Sequence, residues 1–168
     1  MRYFRVRQDD RISNCATLSR LSIKDDAWDN TKDVFIKYEA VKPENAHFLP
    51  FIDQPILAVS EKVKDIFNNY QIAIEYKPFA MGNIEFMRVE PYYFMKPPAI
   101  SCLDDKTVFT PTKEAKEIVL SRKKVGHNKI FQVDELKYNC LIVCLETVEA
   151  LLSQDLNEFK FIEVKCEG

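Results

Sequence analysis

Cys140 and Cys144, Asp104 and Asp105, and the two histidines His47 and His127 are the residues here whose types could carry chemistry. On a helix, Cys140 and Cys144 would be neighbours able to share an ion. The apolar run 140–145 reads instead as a strand, in which four residues span roughly 13 Å. Two sulfurs that far apart cannot share a zinc ion with bonds of about 2.3 Å. Both cysteines are therefore read as structural, each histidine stands in a loop-like context with no second ligand pair, and neither a metal nor a cofactor is expected. Asp104 and Asp105 could hold a cation, or divide acid and base roles if burial separated their pKa values. Adjacent residues of a strand face opposite ways, however, and a turn or cap is the simpler role for the pair.

Other reaction classes lack their signatures. Three glycines, Gly82, Gly126 and Gly168, are too few for a dinucleotide fingerprint or a P-loop, both of which bring backbone close to phosphate at several glycine positions. No Gly-x-Ser-x-Gly elbow occurs, and no histidine stands near a serine or cysteine in a recognisable order. An enzyme reading survives only as a small hydrolase or transferase whose site folding assembles around Asp104, Tyr92 and His127. The aromatic run Tyr92, Tyr93 and Phe94 could line its pocket or form sheet core.

For binding rather than catalysis, the segment with the sole tryptophan is the candidate. Trp28 stands among Asp25, Asp26 and Asp29, where an apolar anchor ringed by acids could hold and steer a basic partner. A tryptophan folded onto the core with solvated aspartates fits the same residues, and both readings stay open.

The bulk composition bounds the rest. A chain of 168 residues with 46% hydrophobic content can bury a real core, and its length suits one domain, 1–168. The longest apolar runs, 56–59 and 140–145, fall far short of the roughly 20 residues that span a bilayer, so no membrane role is expected. Charge within the first ten residues leaves no room for the apolar segment of a secretion signal, and five irregularly spaced cysteines argue for free thiols in a reducing cytoplasm. A net charge of −2 spread over both halves argues against a nucleic-acid face. Arg122, Lys123 and Lys124, the one basic cluster, read as a solvated strand end or turn.

The elements that must position these residues occur twice. Residues 55–68 align without a gap with 140–153, and a further extended stretch follows each, giving an internal repeat of 55–79 and 140–164 at an offset of 85. Val63, Ile66, Phe67 and Tyr70 form an apolar helical stripe, and Val148, Leu151 and Leu152 are expected to be buried equally in the second copy. Ser60 is placed to cap the first helix, whereas Leu145 stands in its position in the second. Before the repeat, Phe4 and Val6 should face the core from an opening strand, with Tyr3, Arg5 and Arg7 on its other face, and 34–41 reads as a strand. Strands are also expected at 84–89, 92–95, 117–120 and 129–133, with one helical turn at 111–116. The fold class expected is α+β, a single domain with a mixed, mainly antiparallel sheet and two strand–helix–strand units.

The order 55–60, amphipathic helix, Tyr92 to Phe94, Cys102 to Asp104, Lys129 to Phe131, Leu141 to Val143, helix and 159–164 resembles the MXAN-type immunity domain family. The resemblance covers residues 55–164 and the opening Met1 to Phe4. It implies a small α+β immunity protein, encoded beside a polymorphic bacterial toxin, that neutralises this cognate protein toxin by stoichiometric binding. It implies no catalytic residues.

Overall fold

A computed structural model describes residues 1–20, 23 and 34–168. In chain order the strands are β1 (Tyr3–Gln8), β2 (Val34–Lys37), β3 (Phe51–Ile52), β4 (Ala58–Val59), β5 (Glu75–Asn83), β6 (Arg88–Lys96) and β7 (Ala99–Ile100), then β8 (Val108–Phe109), β9 (Ala115–Glu117), β10 (Val119–Ser121), β11 (Ile130–Val133), β12 (Leu141–Cys144) and β13 (Phe159–Glu167). Helix α1 (Glu61–Asn68) follows β4, the short α2 (Arg122–Val125) follows β10, and α3 (Leu145–Ser153) follows β12. This is an α+β fold dominated by strand.

The strands do not form one sheet, as the sequence suggested, but two, with β8 and β9 as a separate hairpin. The larger sheet runs β10-β13-β1-β12-β11-β7 and the smaller β2-β5-β6-β4-β3. Both are mixed and mainly antiparallel: among the described pairings, only β10 with β13, β11 with β7 and β2 with β5 are parallel. Helix α1 joins β4 to β5, and both strands pair antiparallel with β6 between them. Helix α3 joins β12 to β13, and both pair antiparallel with β1 between them.

Alternation along the strands sorts side chains into three apolar layers. Val59, Tyr93 and Met95 of the smaller sheet, with Val6, Ile130, Leu141, Val143 and Phe159 of the larger, enclose Val63 and Phe67 of α1 and Val148 and Leu151 of α3 in one shared core. Phe51 and Phe159 stack across the two sheets with centroids 5.9 Å apart. Residues one step along the same strands face outward into a second layer under 102–140 or a third under 16–58. Phe4 and Val6 face the shared core as the alternation requires, while Tyr3 on the opposite face is also buried, against Phe131.

The two helices bury different phases of their stripes. Ser60 caps α1, its hydroxyl accepting from the Val63 amide at 3.4 Å. With Leu145 where a cap would stand, α3 begins one residue earlier than its counterpart, at Leu145 with Cys144 in the cap position, and the Leu145 amide donates instead to the Arg2 carbonyl at 3.0 Å. The buried stripe becomes Thr147, Val148 and Leu151, and Leu152, expected to be as buried as Phe67, is 49% exposed. Two further expectations are corrected. Residues 84–86 are a 3-10 turn joining β5 to β6 rather than the start of a strand, and 110–114 close the β8–β9 hairpin rather than forming a helical turn. Proline at 111 and the left-handed backbone of Lys113 (φ 63°) suit that tight reversal.

Candidate partner-binding surface

Trp28, Asp25, Asp26 and Asp29 lie outside the described residues. The enzyme alternative requires Tyr92, Asp104 and His127 to converge, and the structure keeps them in different places. Tyr92 is buried in the third layer with its hydroxyl donating to the Leu49 carbonyl at 2.6 Å, and that burial pushes its pKa up. Asp104 closes a turn: its carboxylate accepts from the Lys106 amide at 3.1 Å, and its own amide donates to Val119. His127 is exposed in the turn after α2. The cysteines are all unpaired, and the three fully buried ones, Cys102, Cys140 and Cys144, lie in the second layer. Burial pushes the Cys102 thiol up to about 12 and the Cys140 thiol up to about 11, which suppresses the reactive thiolate.

The surface with a pronounced departure from ordinary patterning is the end of the β5–β6 hairpin. Nine residue pairs, from Glu75 with Lys96 to Asn83 with Arg88, make this the longest ladder between neighbouring strands here, so its turn is carried on a stiff arm. The turn itself is pinned. Asn83 is buried and its side-chain oxygen accepts from the Glu85 amide at 3.1 Å, and the Met87 amide donates to the Ile84 carbonyl at 3.1 Å. Arg88 anchors the returning strand by donating to the carbonyls of Pro43 and Ala46 at 3.2 and 2.7 Å, with its guanidinium 4.8 Å from the centre of the Phe48 ring.

This pinned turn directs apolar side chains at water. Ile84 is 77% exposed and Met87 91%, with Phe86 and Val89 also exposed. Met87 holds a left-handed backbone (φ 52°), a region costing an L residue roughly 1–2 kcal/mol. Phe35 of β2 extends the patch across Gly82. A Cβ built on Gly82 would stand 2.9 Å from the Phe35 ring and 3.0 Å from a Val89 methyl, so glycine is what allows both to lie close over the strand. Beyond Phe35 a hollow of about 270 Å³ continues the apolar surface along Pro78, Ala80, Pro91 and Tyr93. Glu85 and Glu90 are exposed at its border.

Scattered exposed apolar residues are ordinary, whereas here Ile84, Phe86, Met87 and Val89 fall together at one turn. Sequence reasoning missed it because the apolar content of 84–89 reads as a strand, and a strand would have buried half of those side chains. The short acceptor Asn83 ahead of Glu85 was the available signal of a turn. Compared with known protein families and with curated proteins, the chain matches none. Among the described residues no helix is long and apolar enough to cross a membrane.

Proposed function

We propose that this protein is a non-enzymatic binding module that holds one protein partner in a stoichiometric complex, with the β5–β6 turn and Phe35 as part of its contact. The observation that carries this reading is the outward display of Ile84, Phe86, Met87 and Val89 on a turn held by Asn83 and Arg88. A rigid apolar anchor loses little conformational entropy on docking, which favours affinity. The exposed Glu85 and Glu90 beside it would serve a polar rim.

The partner proposed is a cognate bacterial toxin, and the role that of an immunity protein. The resemblance across 55–164 supports that choice, and so does the strand–helix–strand arrangement of β4-α1-β5 and β12-α3-β13, which we read as a duplicated unit. Five unpaired cysteines support a cytoplasmic site of action. Trp28, Asp25, Asp26 and Asp29 belong to the same proposal as a second contact, because their segment runs directly into β2 and Phe35 in the sequence.

Co-expression with the product of the adjacent gene tests this. Rescue of growth from a toxic neighbour, with copurification, is the expected result. Ile84→Asp with Met87→Asp should abolish both while leaving the thermal transition cooperative. Toxicity without rescue by the native chain would end the immunity reading, and rescue that survives the double variant would remove the hairpin from the contact.

A further inference from the structure

Arg5 occupies an unusual position. It lies at the centre of the larger sheet on β1, in register with Ile142 on one side and Ile162 on the other. Its Nε is buried without a hydrogen-bond partner, and no carboxylate among the described residues forms an ion pair with it. The residue as a whole is half-buried, and because a guanidinium does not lose its proton its charge is held at the wall of the sheet. Its guanidinium carbon lies 5.1 Å from the centre of the Tyr138 ring.

The space beside it is a cavity of about 310 Å³ lined by Arg5, Arg7, Gln54, Glu114, Ala115 and Tyr138. Arg7 follows Arg5 on the same face of β1, and its Nε donates to Asp53 at 2.8 Å, leaving its terminal amino groups without a bond among the described residues. The Asn139 side chain donates to the carbonyls of Asp53 and Pro55 at 2.8 and 3.3 Å, and so fixes this wall against the smaller sheet. The cavity thus gathers two guanidinium groups, one amide and one phenol. Glu114, exposed at the β8–β9 turn, is the only acid in the lining.

We propose that this cavity is a binding site for the oxyanion of a small molecule, a carboxylate or a phosphoryl group, received bidentately by Arg5 with Arg7 and Gln54 as further donors. Two ligand oxygens match the planar fork that the terminal amino groups of a guanidinium present. Tyr138 lies beside the fork in the same lining. Glu114 competes with the ligand for the same charge. The site is separate from the hairpin surface and does not depend on the function proposed for it.

The test follows the Arg5 Nε–H resonance by NMR during titrations with inorganic phosphate and with acetate, each at constant ionic strength held with chloride. Saturable displacement by at least one of the two is the expected result, and the one that saturates identifies the class. Arg5→Lys keeps the charge but loses the fork and should weaken binding about tenfold or more, whereas Glu114→Gln should tighten it. Lys123→Gln, on the exposed face of α2, should change nothing. Displacement that stays linear in both titrations, or that chloride alone reproduces, overturns the site, as does a Glu114→Gln variant that binds no more tightly. If Arg5→Lys fails to fold, the native titration and Glu114→Gln decide.

Discussion

Met87→Gly separates the stability of the hairpin turn from its use. Met87 caps the 3-10 turn with φ 52°, and its side chain is 91% exposed, so truncation removes almost no packing. Relief of left-handed strain is worth roughly 1–2 kcal/mol. Glycine gives back roughly 0.5–1 kcal/mol through the greater freedom of the unfolded chain. The net expectation is a gain of about 0.5–1 kcal/mol, or a rise in Tm of about 1–4 °C for a domain of this size. Calorimetry together with urea unfolding at unchanged m-value would measure it. In the complex the same change should cost about 1–2 kcal/mol of affinity, because an exposed anchor is lost. A variant both more stable and weaker in binding is the signature of a strained contact turn. Loss of stability would refute the reasoning, since it would mean that Met87 packs in the folded state.

Three other outcomes are expected. Phe67→Ala should cost about 3–5 kcal/mol and Leu152→Ala less than about 0.5 kcal/mol, although the two stand at equivalent places in the repeat; denaturant unfolding giving equal costs would contradict the rotated stripe of α3. Asp9 is buried, and its bonds from the Arg11 guanidinium at 2.6 and 2.9 Å hold its pKa down to about 2. A depressed carboxyl stabilises the fold above its unfolded pKa, near 3.8, and loses that contribution as the pH falls through about 2. Arg11→Gln should therefore destabilise the fold at pH 7, and progressively less between pH 4 and 2; a cost independent of pH would sink this. In the native protein Cys102, Cys140 and Cys144 should resist a thiol reagent at pH 8 while half-buried Cys15 and Cys166 react, with all five titrating after unfolding.

Local chemistry made part of this protein legible before any coordinates. Val63 and Phe67 were readable as buried because helical periodicity alone places them on one face. Ser60 was readable as a cap because its hydroxyl reaches an amide three residues on, and the opening strand because Phe4 and Val6 alternate with Arg5 and Arg7. Each of these depends on neighbours close in sequence. Leu152 was not legible in the same way: its exposure goes with α3 starting at Leu145, whose amide donates to Arg2, a residue at the far end of the chain.

The division into two sheets was likewise a matter of tertiary pairing, since nothing in β1 itself says that β12 and β13 will take its two edges while β6 draws β4 and β5. Neither candidate site could be read from local pattern, for the same reason. The apolar turn becomes a surface because Arg88 reaches back to Pro43 and Ala46, and because Gly82 lets Phe35 of one strand lie beside Val89 of another. The cavity at Arg5 exists because Tyr138, Gln54 and Glu114 come to it from three distant segments. Sequence pattern determines which side chains an element turns to one face; only the packing of elements against each other decides whether that face meets core, solvent or a cavity.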